Sequence, residues 1–141
     1  MKDFEYFVKI GDVKKSSVNK DLAVFLIKDM QSRIRDAFKM SSNEFPKIVF
    51  ENIYDALRDF CDALLALEGY KSYSHEASIS YLIKKGFDIS FVMQLDNFRY
   101  KRNGSKYYGE VINHAEAEEI RSFYQTNKGR IYKLLEEEGL I

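Results

Sequence analysis

From Pro46 to Leu67 the chain repeats apolar residues at Val49, Ile53, Leu57, Phe60, Leu64 and Leu67, in steps of four and three. On a helix of 3.6 residues per turn that spacing gathers all six on one side. Phe50, Tyr54, Cys61 and Leu65 form a second apolar face. A helix over 46–67 that is apolar on two faces needs neighbours on both, so it belongs at the centre of a bundle.

The flanking sequence supplies those neighbours. Leu22, Leu26, Met30 and Ile34 lie four apart and predict a helix from Ser17, as its cap, to Phe38. Ser74 starts a short helix over "HEASISYLIKK" that stops at Gly86. Asp88 caps a fourth, "ISFVMQLDNFRYKRN", and Asn113 with Glu116 three residues on opens the last. The inward stripe of that last helix is Ala117, Ile120, Tyr124, Ile131 and Leu134. One proline and 7 glycines in 141 residues leave few breaks. Strand alternation is weak, and only "FEYFVKI" suggests an extended arm, within residues 1–16. The expectation is one all-α domain over 1–141, an up-and-down bundle of about five helices.

Charge narrows the function. Lys and Arg number 22, and Asp and Glu also 22, so the formal net charge is zero. Coating nucleic acid by bulk charge is excluded, and any such contact rests on a local patch. A lone cysteine, Cys61, rules out an internal disulfide and points to a reducing compartment. The N-terminus has acidic residues and no long apolar run, and no segment approaches the ~20 apolar residues of a membrane span. A soluble cytoplasmic domain without a membrane partner is expected.

Residues 97–110, "NFRYKRNGSKYYGE", carry the densest candidate chemistry. At 100° per residue Asp96, Arg99 and Asn103 share one side of the fourth helix, and Arg102 lies about 60° away beside Leu95 and Phe91. Asn103-Gly104 reads as the turn that ends the helix, with Gly109 completing a return that carries Tyr107 and Tyr108 back toward Arg102. Two readings fit. The arginines complement the helix dipole while the tyrosines pack on the bundle, or an accessible Arg102 and the tyrosines hold a phosphate. His75 and His114 each sit at a helix start, where structural roles suffice, and no zinc pattern or Walker loop is present. Cys61, on an apolar face, reads as a core thiol.

The stretches "DLAVFLIKDMQSRI", "FENIYDALRDFCDALLALEGYKSYSHEASISYL" and "FRYKRNGSKYYGE" resemble, in order and spacing, the HEPN (higher eukaryotes and prokaryotes nucleotide-binding) domain, most of all small archaeal stand-alone members. The resemblance implies a helical bundle that pairs as a two-fold homodimer with the fourth helix near the interface. It implies no cofactor and no metal. In the family an arginine with a polar neighbour is followed after four to six residues by a histidine. Arg102 and Asn103 match the first two, and Tyr107 and Tyr108 stand where the histidine is expected. A tyrosine, with an ordinary pKa of about 10, is a poor base at pH 7, but it orients phosphates and stacks on bases. The resemblance therefore implies a nucleotide- or RNA-binding member of a toxin–antitoxin-like pair with a minimal nucleotidyltransferase. Tyr107 and Tyr108 are then adenylylation acceptors, and Arg99, Asp96 and His75 support the site. The alternative is a metal-independent endoribonuclease using Arg102 with Tyr107 or Tyr108 in place of the usual histidine, His75 substituting only if the third helix approaches the cleft.

Overall fold

The computed structural model describes all 141 residues. In chain order the elements are α1 (Phe4–Lys9), β1 (Val13–Lys15), α2 (Lys20–Lys39), α3 (Pro46–Glu68), β2 (Tyr70–Ser72), α4 (His75–Ser80) with a 3₁₀ turn (Tyr81–Ile83), α5 (Ile89–Tyr107) and α6 (His114–Glu137). The protein is an all-α bundle with one two-stranded ribbon.

α3 is the axis, as its two apolar faces required. Twelve of its 23 residues are buried, among them Tyr54, Leu57, Phe60 and Leu64. Proline at its first turn sacrifices no needed N–H. Gly69 ends it in the left-handed conformation at φ 80°. α2 makes the most extensive contact with α3, and α6, α4 and α5 also pack against it. Cys61 is fully buried, and burial holds its thiol pKa well above the ordinary range, so it is a core residue.

α5 is fixed at its start by Asp88, whose carboxylate accepts the Phe91 N–H at 2.8 Å. Its inner side joins a run of rings: Phe98 meets Phe50 of α3 at 6.0 Å, and Phe91 and Phe98 meet Phe123 of α6 at 5.0 and 5.2 Å. α6 opens with the expected reciprocal cap of Asn113 and Glu116. His114 Nδ1 lies 3.1 Å from the Ser42 hydroxyl, pinning α6 to the α2–α3 connection.

Five local expectations are corrected. The segment 4–9 is helical, because Asp3 accepts the Tyr6 N–H and Phe4 and Phe7 turn inward together. Asn19 caps α2 in place of Ser17, accepting the Leu22 N–H at 3.0 Å. α2 buries Ala23, Ile27, Met30 and Ala37, which leaves Leu22 43% exposed. The helix begun at Ser74 tightens into a 3₁₀ turn before Gly86. Finally, α5 runs through Asn103 and Gly104 to Tyr107, and the chain turns at Gly109 with φ 73°. Gly104 stays helical with the Glu110 carboxylate lying over the place a Cβ would take, and the Tyr108 and Glu110 N–H groups both donate to its carbonyl.

The ribbon was not anticipated. β1 and β2 pair antiparallel, with Val13 opposite Ser72, Lys14 opposite Lys71 and Lys15 opposite Tyr70. Val13 is buried, and the Tyr70 and Tyr81 rings close over Phe4 at 5.2 and 4.8 Å. Each strand is only three residues long, too short for alternation to register in sequence.

Candidate nucleic-acid interface

The extension of α5 by one turn decides the geometry of the site. Arg99, Asn103 and Tyr107 now stand at i, i+4 and i+8, on one side of a continuous helix. Together with Tyr100, Tyr108, Gly104 and Glu110 they line an open groove of about 530 Å³. Tyr100, Tyr107 and Tyr108 are 75%, 64% and 80% exposed. Arg99 is held in place by Asp96, Nε to Oδ1 at 2.7 Å, and by Glu76 of α4 at 3.8 Å. Lys106 Nζ lies 5.6 Å from the Tyr107 ring centroid. The groove thus offers a positioned guanidinium, an amide and three open rings.

Arg102 faces the other way. It was expected to be accessible, and it is 8% exposed. The reason lies on α3. Its guanidinium carbon sits 5.6 Å from the Tyr54 ring centroid, and Nη2 is 3.5 Å from Asp55 Oδ1. Its Nε and the Tyr54 hydroxyl are buried without a hydrogen-bond partner in the chain. Tyr107 and Tyr108 do not return toward it. Five and six residues on along the same helix and its end, they point well away from Arg102. The structure therefore separates the matched arginine from the two tyrosines, and assembles Arg99, Asn103, Tyr107 and Tyr108 instead.

His75 lies on the Arg102 side. It is the first residue of α4, and Ser74 does the capping, accepting the Ala77 N–H at 3.3 Å. With Tyr54, Arg58, Cys61, Ser78, Ile79 and Leu95 it lines a small internal cavity of about 10 Å³, the space of one water. Burial, reinforced by Arg58, Arg102, Arg99 and Lys106, pushes its pKa down to about 4. His75 is neutral at pH 7, and with its pKa held this low it is a weak base and no general acid.

Behind Asp55 a second charged cluster ties α2 to α3. Arg33 binds Asp29 at 2.8 Å, Asp55 and Asp59 at 3.7 Å each, and the Asn52 carbonyl oxygen at 3.3 Å. Asp59 is mostly buried, and burial followed by the facing Asp29 carboxylate pushes its pKa up to about 8, while Asp29 is held below its ordinary value. Of the two carboxyls, Asp59 is therefore the one that holds its proton to higher pH.

Sequence reasoning missed Tyr54, Arg58 and Tyr100. One signal for the first two was present: Asp55, Arg58, Asp59 and Asp62 form a charged stripe along the most apolar helix of the chain.

Comparison with protein-family models, with curated proteins and with solved structures finds no match to this chain. The functional reading rests on the residues themselves. No helix is long and apolar enough to cross a membrane.

Proposed function

We propose that the chain is a HEPN-type binding module that takes a nucleotide or a short stretch of single-stranded RNA in the α5 groove. The observation that carries this reading is the groove itself, where one pre-positioned arginine and Asn103 stand among three exposed tyrosines. Single strands are held by base stacking on aromatic rings and by cations on the backbone, and the groove offers both. Asp96 fixes Nε of Arg99 and leaves other guanidinium donors for a phosphate. A nucleotidyltransferase partner and adenylylation at Tyr107 or Tyr108 extend the reading, supported by the exposure of both hydroxyl-bearing rings.

Arg99→Ala is expected to weaken binding of a labelled single-stranded RNA about ten- to a hundred-fold, the equivalent of one charge-assisted contact. Tyr107→Ala should weaken it several-fold. Fluorescence anisotropy checks both, and unchanged affinity in the Arg99 variant removes the groove from consideration. Ribonuclease activity is the second reading. The placement of His75 beside Arg58, on the Arg102 side, is its support, and metal-free RNA cleavage lost in His75→Ala would replace the binding reading by a catalytic one.

A homodimer belongs to the same proposal. Ile89 and Met93, 60% and 40% exposed, lie four apart on the outer side of the first half of α5, clear of the groove residues. Two-fold pairing there would leave both grooves open. Sedimentation at micromolar concentration is expected to give about twice the 16.6 kDa chain mass, and a monomer would reject the pairing.

A further inference from the structure

The β1–β2 ribbon carries an arrangement that folding alone disfavours. Lys14 and Lys71 are directly opposite in the antiparallel register, so both side chains leave the same face of the ribbon. Like charges so placed destabilise a strand pair. Lys47, Lys84, Lys85 and Lys101 have carboxylate partners, and Lys14 and Lys71 are among the lysines that have none. The nearest acid in sequence, Asp12, contributes only its backbone carbonyl, which accepts the Tyr73 N–H at 2.8 Å.

Tyr73 completes the patch. It follows β2 directly, it is 63% exposed, and its ring lies within cation–π range of both ammonium groups, 6.0 Å from Lys14 Nζ and 5.4 Å from Lys71 Nζ. One open ring between two unpaired cations is a unit that stacks a base while the flanking charges meet the phosphates on either side.

We propose that this face of the ribbon, Lys14, Lys71 and Tyr73, is a binding surface for single-stranded nucleic acid, separate from the α5 groove. It shares with the groove only the class of ligand. The two surfaces are neighbours. Tyr73 is three residues from Glu76, at most about 11 Å along the chain, and Glu76 touches Arg99. A strand of a few nucleotides spans that gap.

Fluorescence anisotropy with a labelled single-stranded oligouridylate tests the proposal. Lys14→Gln combined with Lys71→Gln is expected to weaken binding about tenfold and to make the log–log salt dependence shallower by about 1.4, two phosphate contacts at roughly 0.7 each. Tyr73→Ala should weaken binding several-fold and leave the salt dependence unchanged. Lys14→Glu separates function from structure. It replaces a cross-strand repulsion by a Glu–Lys pair, so its melting temperature should hold or rise while its affinity falls. Wild-type-like binding by the lysine variants, or absence of binding by the wild-type chain, overturns the proposal. Arg99→Ala measured in parallel distinguishes the two surfaces. An effect of Arg99 without an effect of the lysines rejects the ribbon alone, and the reverse rejects the groove alone.

Discussion

Arg102→Ala is expected to unfold about 10 °C below the wild type, and Arg102→Met to melt between the two. The buried guanidinium has one long ion pair, to Asp55, and no hydrogen bond within the chain. Removing one partner of a buried pair costs about 3–5 kcal/mol, because the other is left uncompensated. Asp55 keeps Arg33 at 3.7 Å, so the lower end applies, about 3 kcal/mol, or about 10 °C for a chain of this size. Methionine leaves Asp55 without this partner just as alanine does, but it refills the slot against Tyr54 and so recovers the packing part of the loss. Thermal denaturation followed by circular dichroism measures both variants. Equal melting temperatures for wild type and Arg102→Ala would show that the ion pair and the packing contribute nothing. Because the proposed groove uses Arg99, RNA affinity of Arg102→Met should stay within about threefold of wild type. A large loss of affinity in that folded variant would return Arg102 to the ligand site.

Asp59→Asn should be more stable than the wild type at pH 7.5 and should lose a pH dependence that the wild type shows. The sign follows from the direction of the shift. Asp59 has a folded pKa of about 8, raised from the ordinary carboxyl value of 3.8. Between about pH 4 and pH 8 the folded chain keeps a proton that the unfolded chain releases, so wild-type stability falls as pH rises through that window. Above about 8 the contribution is flat. Asp29 acts in the opposite sense and in a lower window: its lowered pKa gives stability that is lost only as pH falls below the ordinary carboxyl range. Solvent near the pair screens part of the effect, which leaves about 2 kcal/mol for the fall across the window. An asparagine still donates to Asp29 and releases no proton, so its denaturant midpoint should be nearly level from pH 5 to pH 8. A variant with the same slope as wild type would place the retained proton elsewhere.

The parts of the fold that could be read from the sequence were those set by one segment acting alone. Periodicity located α3 and the inward stripe of α6, and side-chain chemistry located the caps at Asp88, Ser74 and Asn113. Features that depend on two segments were not legible. Leu22 continues the four-residue spacing of α2, but the face that α3 covers is the one carrying Ala23 and Ile27. Asn103-Gly104 has turn-forming residues, and the helix carries on because a glycine there admits the Glu110 side chain. The same holds for the site. Placing Arg102 beside Leu95 and Phe91 was correct as helix geometry, and those two residues are 1% and 5% exposed. That placement implied burial of the arginine. Its counterparts Tyr54 and Asp55 belong to another helix, so the sequence pattern of α5 alone did not reveal them.

The ribbon joins residues about 55 positions apart in the chain. Closing a flexible loop of that length costs about 3–4 kcal/mol in chain entropy, more than three residue pairs return. The helices remove most of that cost. α2 and α3 lie side by side, and the Asn19 N–H donates to the Ala66 carbonyl at 2.9 Å and the Ser16 N–H to the Gly69 carbonyl at 2.7 Å. Both strands therefore leave from helix ends that already touch, and the effective loop is a few residues long. Pairing of Lys14 with Lys71 is thus conditional on the packing of α2 against α3. A mutation that loosens the α2–α3 packing would reach the ribbon through loop entropy, without altering a single ribbon residue.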